Sequence, residues 1–295
     1  DVSEVVRIAR DLNIPVTPRG AGVGLTGGCL GRGIIIDFSR HMNRILSIDI
    51  QRKTVVVEPG IVQNDLDRAL NRHQFFFPPD PSSHMYSTIG GMVGNNAAGP
   101  HSIKYGVTRD YLHSVSAICG DGEEITFEND VDCQVLPSGR LKTIGDQLYP
   151  LLCGHADLLS RWMPKTRKNS SGYRLDNIVH DQRLDFARLM AASEGTLGVF
   201  TGFELTIEHL PKTAGMVLLF FDSVDAACEA VPEIARMQPS MLEIMKSTFV
   251  DLVRKSAFDV GVPFPMSLRS LLLVEFDGDS EEMVNEKLWA LEKEM

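Results

Sequence analysis

A glycine-rich loop between two short apolar segments limits what the first part of this chain can form. Seven glycines lie from Gly20 to Gly33, and Gly22, Gly24 and Gly27 have the GxGxxG spacing of a dinucleotide fingerprint. That fingerprint requires a strand before the loop and a helix that begins at its second or third glycine. The segment "IPVTP" meets the first condition, but more glycines and the apolar strand "GIIIDF" stand where the helix should begin. A nicotinamide-binding Rossmann domain is therefore the weaker interpretation.

Two interpretations of this loop remain open. Glycines permit positive φ angles and close backbone approach, so successive N–H groups of the loop can converge on a phosphate. The alternative is a surface loop that binds nothing. The loop by itself does not decide between them.

A second tract, residues 78–106, favours the first interpretation because it shows almost no helix or strand periodicity. Loops longer than roughly 12 to 15 residues are uncommon in compact domains and are usually functional or disordered. Apolar residues, among them Ile89, Met92 and Val93, are interleaved here with small ones, which is not typical of disorder. Small residues within an apolar loop indicate backbone packed against a large flat ligand. Two such loops predict a long ligand with phosphates and an aromatic ring.

The other patterns predict a mixed α and β chain with a domain boundary near Pro211. "GVFTGFELTIEHL" alternates as a half-buried antiparallel strand does, and "SVSAICGDGEEITF" is typical of a hairpin with an Asp-Gly turn. "ILSIDI" and "TVVVEPG" predict a second hairpin, and Asp279 with Glu282 predicts a capping box for a last helix. Further helices are predicted at 1–12, 62–72, 144–152, 156–163, 224–237 and 242–254, and further strands at 216–221 and in "LLLVEF".

Composition excludes several classes of function. The net charge of −10 and the pI near 5.3 disfavour nucleic-acid binding, which normally shows as a basic patch or domain. Apolar runs fall short of the roughly 18 to 20 residues that a membrane helix needs. Dispersed cysteines predict reduced thiols in a cytoplasmic protein and argue against a zinc or iron–sulfur site built from local spacing. The cysteines are Cys29, Cys119, Cys133, Cys153 and Cys228.

Six ordered blocks of sequence resemble a known family. They are "PRGAGVGLTGG", "PPDPSS", "STIGGMVGNNAAGPHSIKYGVTRDYL", "GDGEE", "KNSSGY" and "SEGTLGVFTGFEL". Their order and spacing are similar to those of the FAD-linked oxidases of the vanillyl-alcohol-oxidase type. Within that family they resemble the branch that contains the D-type subunit of glycolate oxidase, D-lactate dehydrogenase and D-2-hydroxyglutarate dehydrogenase. The resemblance covers nearly the whole chain.

The resemblance implies an α+β fold. Residues 1–210 would form a PCMH-type FAD-binding domain of two α/β subdomains, of which an N-terminal strand is expected to be missing. Residues 211–295 would form part of an α/β cap domain that covers the flavin. Some members attach FAD through a histidine in the first glycine loop, and Val23 occupies that position here. Non-covalent FAD is therefore expected. Because the sequence opens at Asp1 within a helical pattern, we expect it to be an excerpt of a longer polypeptide.

The resemblance also implies a set of cofactor-binding residues along the matching blocks. The "RKNSSGY" members of the set are expected near the flavin ring, and the residues around Glu194 near the adenine and diphosphate. The full set is Pro18, Arg19, Gly20, Ala21, Gly22, Val23, Gly24, Leu25, Thr26, Pro79, Asp80, Pro81, Ser82, Thr88, Ile89, Gly90, Gly91, Gly94, Asn95, Ala97, Ala98, Gly99, Lys168, Asn169, Tyr173, Glu194, Gly195, Gly198, Val199 and Thr201.

The charged residues of the same tract permit fewer assignments. All histidines are isolated in sequence, so a structural or surface role is the default, with His84 and His101 as the candidates inside the cofactor tract. Lys104 and Arg109 are equally consistent with phosphate ligands and with solvated charges. No metal ligand is assigned, and the catalytic residues are expected C-terminal to this sequence.

For activity, the resemblance implies an FAD-dependent oxidoreductase that oxidises a 2-hydroxy acid of D-lactate, glycolate or 2-hydroxyglutarate type by hydride transfer to flavin N5. Electrons would pass to an iron–sulfur domain or subunit, or to another acceptor. The alternative is a non-catalytic FAD-binding relay or scaffold subunit of a larger complex. A histidine and glutamate metal motif C-terminal to this sequence would favour the enzyme, and its absence there would favour the relay. Peripheral association with a membrane electron-transfer complex is left open.

Overall fold

The computed structural model describes residues 1–136, 138–256, 261 and 263–294, and its helices and strands follow most of the sequence patterns. In chain order they are α1 (Val2–Asp11), β1 (Val16–Arg19), β2 (Ile34–Asp37), β3 (Ile45–Asp49), β4 (Thr54–Val57), α2 (Gln63–Leu70), β5 (Phe75–Phe76), α3 (Ile89–Asn95), α4 (Ser102–Tyr105), β6 (Leu112–Ile118), β7 (Glu124–Glu128), β8 (Val131–Asp132), α5 (Arg140–Gly154), α6 (Ala156–Trp162), β9 (Val179–His180), β10 (Arg183–Leu184), α7 (Phe186–Met190), β11 (Val199–Thr206), β12 (Glu208–His209), β13 (Thr213–Phe221), α8 (Val224–Arg236), β14 (Met241–Lys246), α9 (Ser247–Lys255), β15 (Ser270–Gly278) and α10 (Glu281–Glu294).

The chain divides into two units. The first contains residues 1–99 and 106–209, and the second contains residues 100–105 and 210–295. The short segment with α4 therefore belongs to the second unit, although the residues on either side of it in sequence belong to the first.

The alternating segment around β11 forms the centre of the largest sheet of the first unit. The strand order is β3-β4-β11-β6-β7, and every pair is antiparallel. Phe203 and Leu205 on β11 are buried in a core that also contains residues of α2, α3 and α7. Both predicted hairpins and the predicted half-buried strand are confirmed, because apolar side chains at every second position face one layer of helices.

The glycine loop connects the two strands of a small parallel pair. β1 pairs with β2 in the register Val16 to Ile34, and residues 20–33, all of them described, contain no helix. Val6 of α1 and Phe38 pack with Ile118 and Val199 in a second apolar cluster. The prediction of a loop followed by a strand, rather than by a helix, is confirmed.

A three-stranded antiparallel sheet of order β13-β15-β14 organises the second unit. On one face, Val274 and Phe276 pack with residues of α8 and α10. The other face carries acidic residues of β15 that bind the segment with α4. His101 Nε2 lies 2.9 Å from Glu275 Oε1, and Lys104 and Tyr105 both bond to the Asp277 carboxylate. Hydrogen bonding by His101 is the main cause that lowers the pKa of Glu275.

Three sequence predictions about local structure are wrong. The tract 78–106 contains α3 and α4, and the apolar residues of α3 face the core. The segment 242–254 is strand β14 followed by helix α9, so the single predicted helix begins too early. At the start of α10, Ser280 Oγ accepts the Met283 N–H at 3.3 Å, whereas the predicted cap was Asp279.

We expect Leu205→Ala to cost about 3 kcal/mol of unfolding free energy, because it leaves a cavity in a fully buried site between Val55 and Leu112. Urea unfolding checks this. Thr206→Ala, one residue further and partly exposed, is the control and should cost less than about 1 kcal/mol. Equal costs for the two variants would contradict the assignment of the buried face.

Candidate functional site

The glycine loop and α3 line a cavity of about 450 Å³ within the first unit. This volume lies in the range of roughly 300 to 1,000 Å³ that is usual for sites of small organic ligands. Small residues and backbone supply most of the wall. The predicted site residues on the wall are Pro18, Arg19, Gly20, Ala21, Gly22, Val23, Gly24, Leu25, Thr26, Pro81, Thr88, Gly90, Gly91, Gly94, Asn95, Ala97, Ala98, Glu194 and Gly195.

Other predicted site residues lie outside this lining. Ile89 is on the core side of α3 and fully buried, and Thr201 Oγ1 donates to Glu124 across the sheet. Tyr173 and Asn169 belong to a segment that reaches the cavity through Ser170. The predicted residues outside the lining are Pro79, Asp80, Ser82, Ile89, Gly99, Lys168, Asn169, Tyr173, Gly198, Val199 and Thr201.

Sequence reasoning missed part of the wall. Phe38 and Pro59 follow shortly after β2 and β4, and their place at the ends of strands is the signal that points to them. Ser83 and Ser87 lie inside the tract already singled out. The lining residues that were not predicted are Gly28, Cys29, Phe38, Pro59, Ser83, Ser87, Met92, Ser170 and Phe200.

Two glycines of the wall have a structural reason, which is close packing for Gly90 and a left-handed backbone conformation for Gly22. A Cβ on Gly90 would lie 2.9 Å from Pro59 Cβ, which is closer than real Cβ contacts come. Gly22 has a φ of 72°, a conformation that side chains disfavour. Gly94 differs, because a Cβ there would have Glu194 Cα, at 4.0 Å, as its nearest neighbour. A side chain at residue 94 would therefore extend into the cavity.

Asn96 joins three segments around the cavity. It is fully buried and has left-handed dihedrals, with φ 48° and ψ 55°, that end α3. Its Oδ1 accepts the Arg109 N–H at 3.0 Å, and its Nδ2 donates to Asn169 O at 3.1 Å. Ser170 Oγ donates to Asn96 O at 3.5 Å. The cavity-lining Ser170 is thus attached to the end of α3.

A second set of bonds attaches the turn at 192–196 to the same helix. Ala192 N–H donates to Val93 O at 3.0 Å, and Glu194 N–H donates to Gly94 O at 2.9 Å. Thr196 Oγ1 lies 2.7 Å from the Tyr173 hydroxyl. Both segments opposite the glycine loop are therefore held by α3 or by each other.

Arg109, Arg174 and Asp176 form a largely buried network of ion pairs, and the last two follow directly in sequence the segment that contains Ser170 and Tyr173. Arg109 Nη1 lies 3.2 Å and Arg174 Nη2 lies 2.6 Å from carboxylate oxygens of Asp176, and the two guanidinium side chains are 4% and 8% exposed. The Arg174 hydrogen bonds are the main cause that lowers the pKa of Asp176 to about 2, and burial lowers the pKa of Arg109. The alternatives considered for Arg109 were both wrong, since it is neither on the cavity wall nor solvated.

The wall combines many backbone amides with one cation, Arg19, and one carboxylate, Glu194, among its lining residues. Thr26, Thr88 and Asn95 add neutral polar groups. Such a wall suits a long anionic ligand, because amides and glycines bind phosphate without an excess of positive side chains. Among the described residues, no group of three or more histidines, cysteines or acids could hold a metal ion. The helices that the structure describes are too short or too polar to span a bilayer.

Two protein-family models match the sequence. One is described as an FAD binding domain and matches residues 1–128. The other is described as the C-terminal domain of FAD linked oxidases and matches residues 210–295. FAD, the cofactor that the sequence predicted, is thereby confirmed.

Curated relatives are similar along almost the whole chain. D-2-hydroxyglutarate dehydrogenase of Escherichia coli is 32% identical over 99% of this chain and 30% of its own length. Glycolate oxidase subunit GlcD of Bacillus subtilis is 31% identical over 95% and 50%, respectively. D-lactate dehydrogenase of Anaerostipes hadrus is 29% identical over 97% and 52%. The chain thus spans about a third to about half of the length of these relatives.

A solved structure supports the fold. Alkyldihydroxyacetonephosphate synthase matches with a TM-score of 0.70 at 19% identity, over 99% of this chain and 49% of that one. At this identity the likeness shows the fold alone. The predicted α+β fold is confirmed.

We expect Gly94→Leu to weaken FAD binding at least about tenfold, because the new side chain fills the cavity while leucine suits the helix better than glycine does. Titration of the FAD-free protein with FAD, followed by flavin fluorescence, measures this. Gly154→Leu at the exposed end of α5, with open space around it, is the control. Unchanged FAD affinity in Gly94→Leu would place the cofactor elsewhere.

We expect Asp176→Asn to lose about 3 kcal/mol of stability at pH 7, because it leaves two buried guanidinium groups without their carboxylate. The pKa of Asp176 is lowered in the folded protein to about 2 from an unfolded value of about 4, so its contribution is present above pH 4 and is lost as the pH falls toward 2. Urea unfolding at pH 7 and pH 2.5 should show the difference between variant and parent shrinking. Asp157→Asn, at an exposed position on α6, should show little difference at either pH.

Proposed function

We propose that the chain is a member of the FAD-linked oxidases and forms the FAD-binding part of a dehydrogenase for a small 2-hydroxy acid. The observation that carries this proposal is the similarity along nearly the whole chain to D-2-hydroxyglutarate dehydrogenase, glycolate oxidase subunit GlcD and D-lactate dehydrogenase. The substrate is proposed to be D-lactate, glycolate or 2-hydroxyglutarate, or a close analogue.

The chemistry of the cavity wall in the first unit supports the proposal that FAD binds there. Its wall is backbone and small side chains along the glycine loop and α3, with Arg19 as its cation. The loop amides and Arg19 would hold the diphosphate, and the residues from Thr88 to Ala98 would lie along the rest of the molecule. Val23 stands where some relatives carry a histidine tether, so we propose that FAD is held without a covalent bond.

Bound FAD would supply the acceptor for the α-hydride of the substrate. The chain itself contributes position and shielding. Ser170 is hydrogen-bonded to Asn96, and Glu194 is hydrogen-bonded to Gly94, so both segments of the wall are connected to α3 and its end. The groups that bind the substrate and act as acid or base are still expected in a part of the protein that follows this sequence. An iron–sulfur centre of another domain or subunit is proposed as the electron acceptor.

The full-length protein should be yellow, and acid precipitation should release its flavin into the supernatant. Anaerobic addition of D-lactate, glycolate and D-2-hydroxyglutarate, one at a time, should bleach the flavin band with at least one of them. Gly94→Leu, prepared in parallel, should contain less flavin per protein than the parent.

Each other result has a defined meaning. A colourless parent protein that does not bind added FAD would overturn the proposal. Flavin that remains in the precipitate would contradict non-covalent binding. A yellow protein that none of the acids reduces, but that accepts electrons from a reduced donor protein, would favour the relay function instead.

A further inference from the structure

Two side chains of α2 bond to the backbone of the segment that follows β5. Gln63 Nε2 donates to Phe77 O at 3.3 Å and also to Pro79 O. The Phe77 N–H donates to Asp67 Oδ1 at 2.9 Å. Gln63 and Asp67 are four residues apart in the helix, so they lie on the same face, one turn apart.

These bonds to Phe77 take the place of the backbone hydrogen bonds that a neighbouring strand would make if β5 continued. β5 pairs with β12 and ends at Phe76, where the chain enters three consecutive buried residues, 77–79. Two of these residues are prolines, which have no N–H, so their carbonyl groups are the backbone atoms that can still be bonded. The α2 side chains therefore satisfy the N–H and the C=O of Phe77 where the ladder has stopped.

The pair lies in an environment that favours apolar side chains. Gln63 is 1% exposed, and Leu66 and Leu70 beside it on α2 are fully buried. Burial is the main cause that raises the pKa of Asp67 to about 6, with an opposing effect of the Phe77 hydrogen bond. His84 lowers and Asp80 raises the same pKa. Burying a polar pair in this position lowers the stability of the fold unless its hydrogen bonds compensate. Here those bonds go to the backbone of residues 77 and 79.

The segment leads directly into the cavity wall. Pro81 and Ser83, two and four residues after Pro79, line the cavity. Ser83 Oγ lies 2.7 Å from Ser87 Oγ, and Ser87 also lines the cavity. The path of residues 77–79 therefore decides where this part of the wall lies.

We propose that Gln63 and Asp67 are positioning residues that fix the segment 77–83 and thereby shape the FAD cavity, although neither residue lines it. The proposal rests on the proposed function for its cofactor. It concerns the shape of the wall and requires no contact between either side chain and FAD.

Variants of Gln63 and Asp67 test this proposal, and Gln63→Glu and Asp67→Asn keep the volume of the side chain. Gln63→Glu offers the carbonyl groups of Phe77 and Pro79 at most one O–H, and only in its protonated form, where the amide donates to both, so we expect FAD affinity to fall at least tenfold. Asp67→Asn keeps an acceptor for Phe77 N–H and should bind FAD within about threefold of the parent, whereas Asp67→Leu should lose at least tenfold. Asp65→Leu, at an exposed position on the same helix, is the control. Affinities are measured at pH 8, where Asp67 is ionised.

Two further readouts separate positioning from general stability. The visible circular dichroism of bound flavin should change in Gln63→Glu and stay as in the parent in Asp67→Asn. Hydrogen exchange in a peptide that begins at residue 73 and covers 77–84, so that the Phe77 amide is retained, should be faster without FAD in Gln63→Glu and Asp67→Leu, while peptides of β6 and β11 keep their protection. If Asp67→Leu does not fold, the comparison of Gln63→Glu with Asp67→Asn decides the question.

The outcomes distinguish the two proposals. If the parent binds FAD and Gln63→Glu binds it equally well with an unchanged spectrum, the positioning proposal is wrong and the function stands. If the parent does not bind FAD, the proposed function fails together with the claim about the cavity. Slow exchange of residues 77–84 in Gln63→Glu would show that the side chain does not fix this segment.

Discussion

The hydrogen bonds of one buried asparagine join two segments of the cavity wall in the first unit. Asn96 ends α3 in a left-handed conformation, accepts the Arg109 N–H and donates to Asn169 O. Arg109 then reaches Asp176 with its guanidinium group. The segment from residue 169 to residue 176 is therefore attached near both ends to this one pair of residues. Because residues of α3 line the cavity, these bonds connect that part of the wall to the segment that contains Ser170.

The wall of the cavity would suit an anionic ligand even in an acidic protein. The net charge of −10 opposes anion binding at long range, but screening limits that effect to about 10 Å at ordinary salt. At short range the glycine loop presents backbone amides, and small residues along α3 let a ligand approach the main chain. The guanidinium groups of Arg109 and Arg174 pair with the Asp176 carboxylate, and neither residue lines the cavity. Their charges therefore stabilise the fold and do not contribute to the cavity wall.

Sequence patterns predicted the parts that depend on neighbouring residues in the chain. The alternation along β11 and the glycines after β1 determine local structure directly, and both predictions are confirmed. The helix α3 escaped prediction because glycines and asparagines lower helix propensity, and packing of Ile89, Met92 and Val93 in the core compensates for that. Strand β14 was mistaken for helix because a short apolar run fits both periods, and pairing with β15 decides it. The cavity lining from residues 18–26 followed from the family resemblance, whereas Phe38 and Pro59 come from strand ends that only the folded chain brings together.

Because of the segment 100–105, which contains α4, the second unit cannot be produced complete as one continuous fragment that begins at residue 210. Residues 100–105 belong to the second unit, so the backbone passes between the units three times, at 99–100, 105–106 and 209–210. A fragment that begins at residue 210 would lack His101, Lys104 and Tyr105, and the carboxylates of Glu275 and Asp277 on β15 would lose these three partners. A chimera that exchanges residues 210–294 for those of another protein must carry the hexapeptide at 100–105 along with them, or replace Glu275 and Asp277, the β15 residues that bind it.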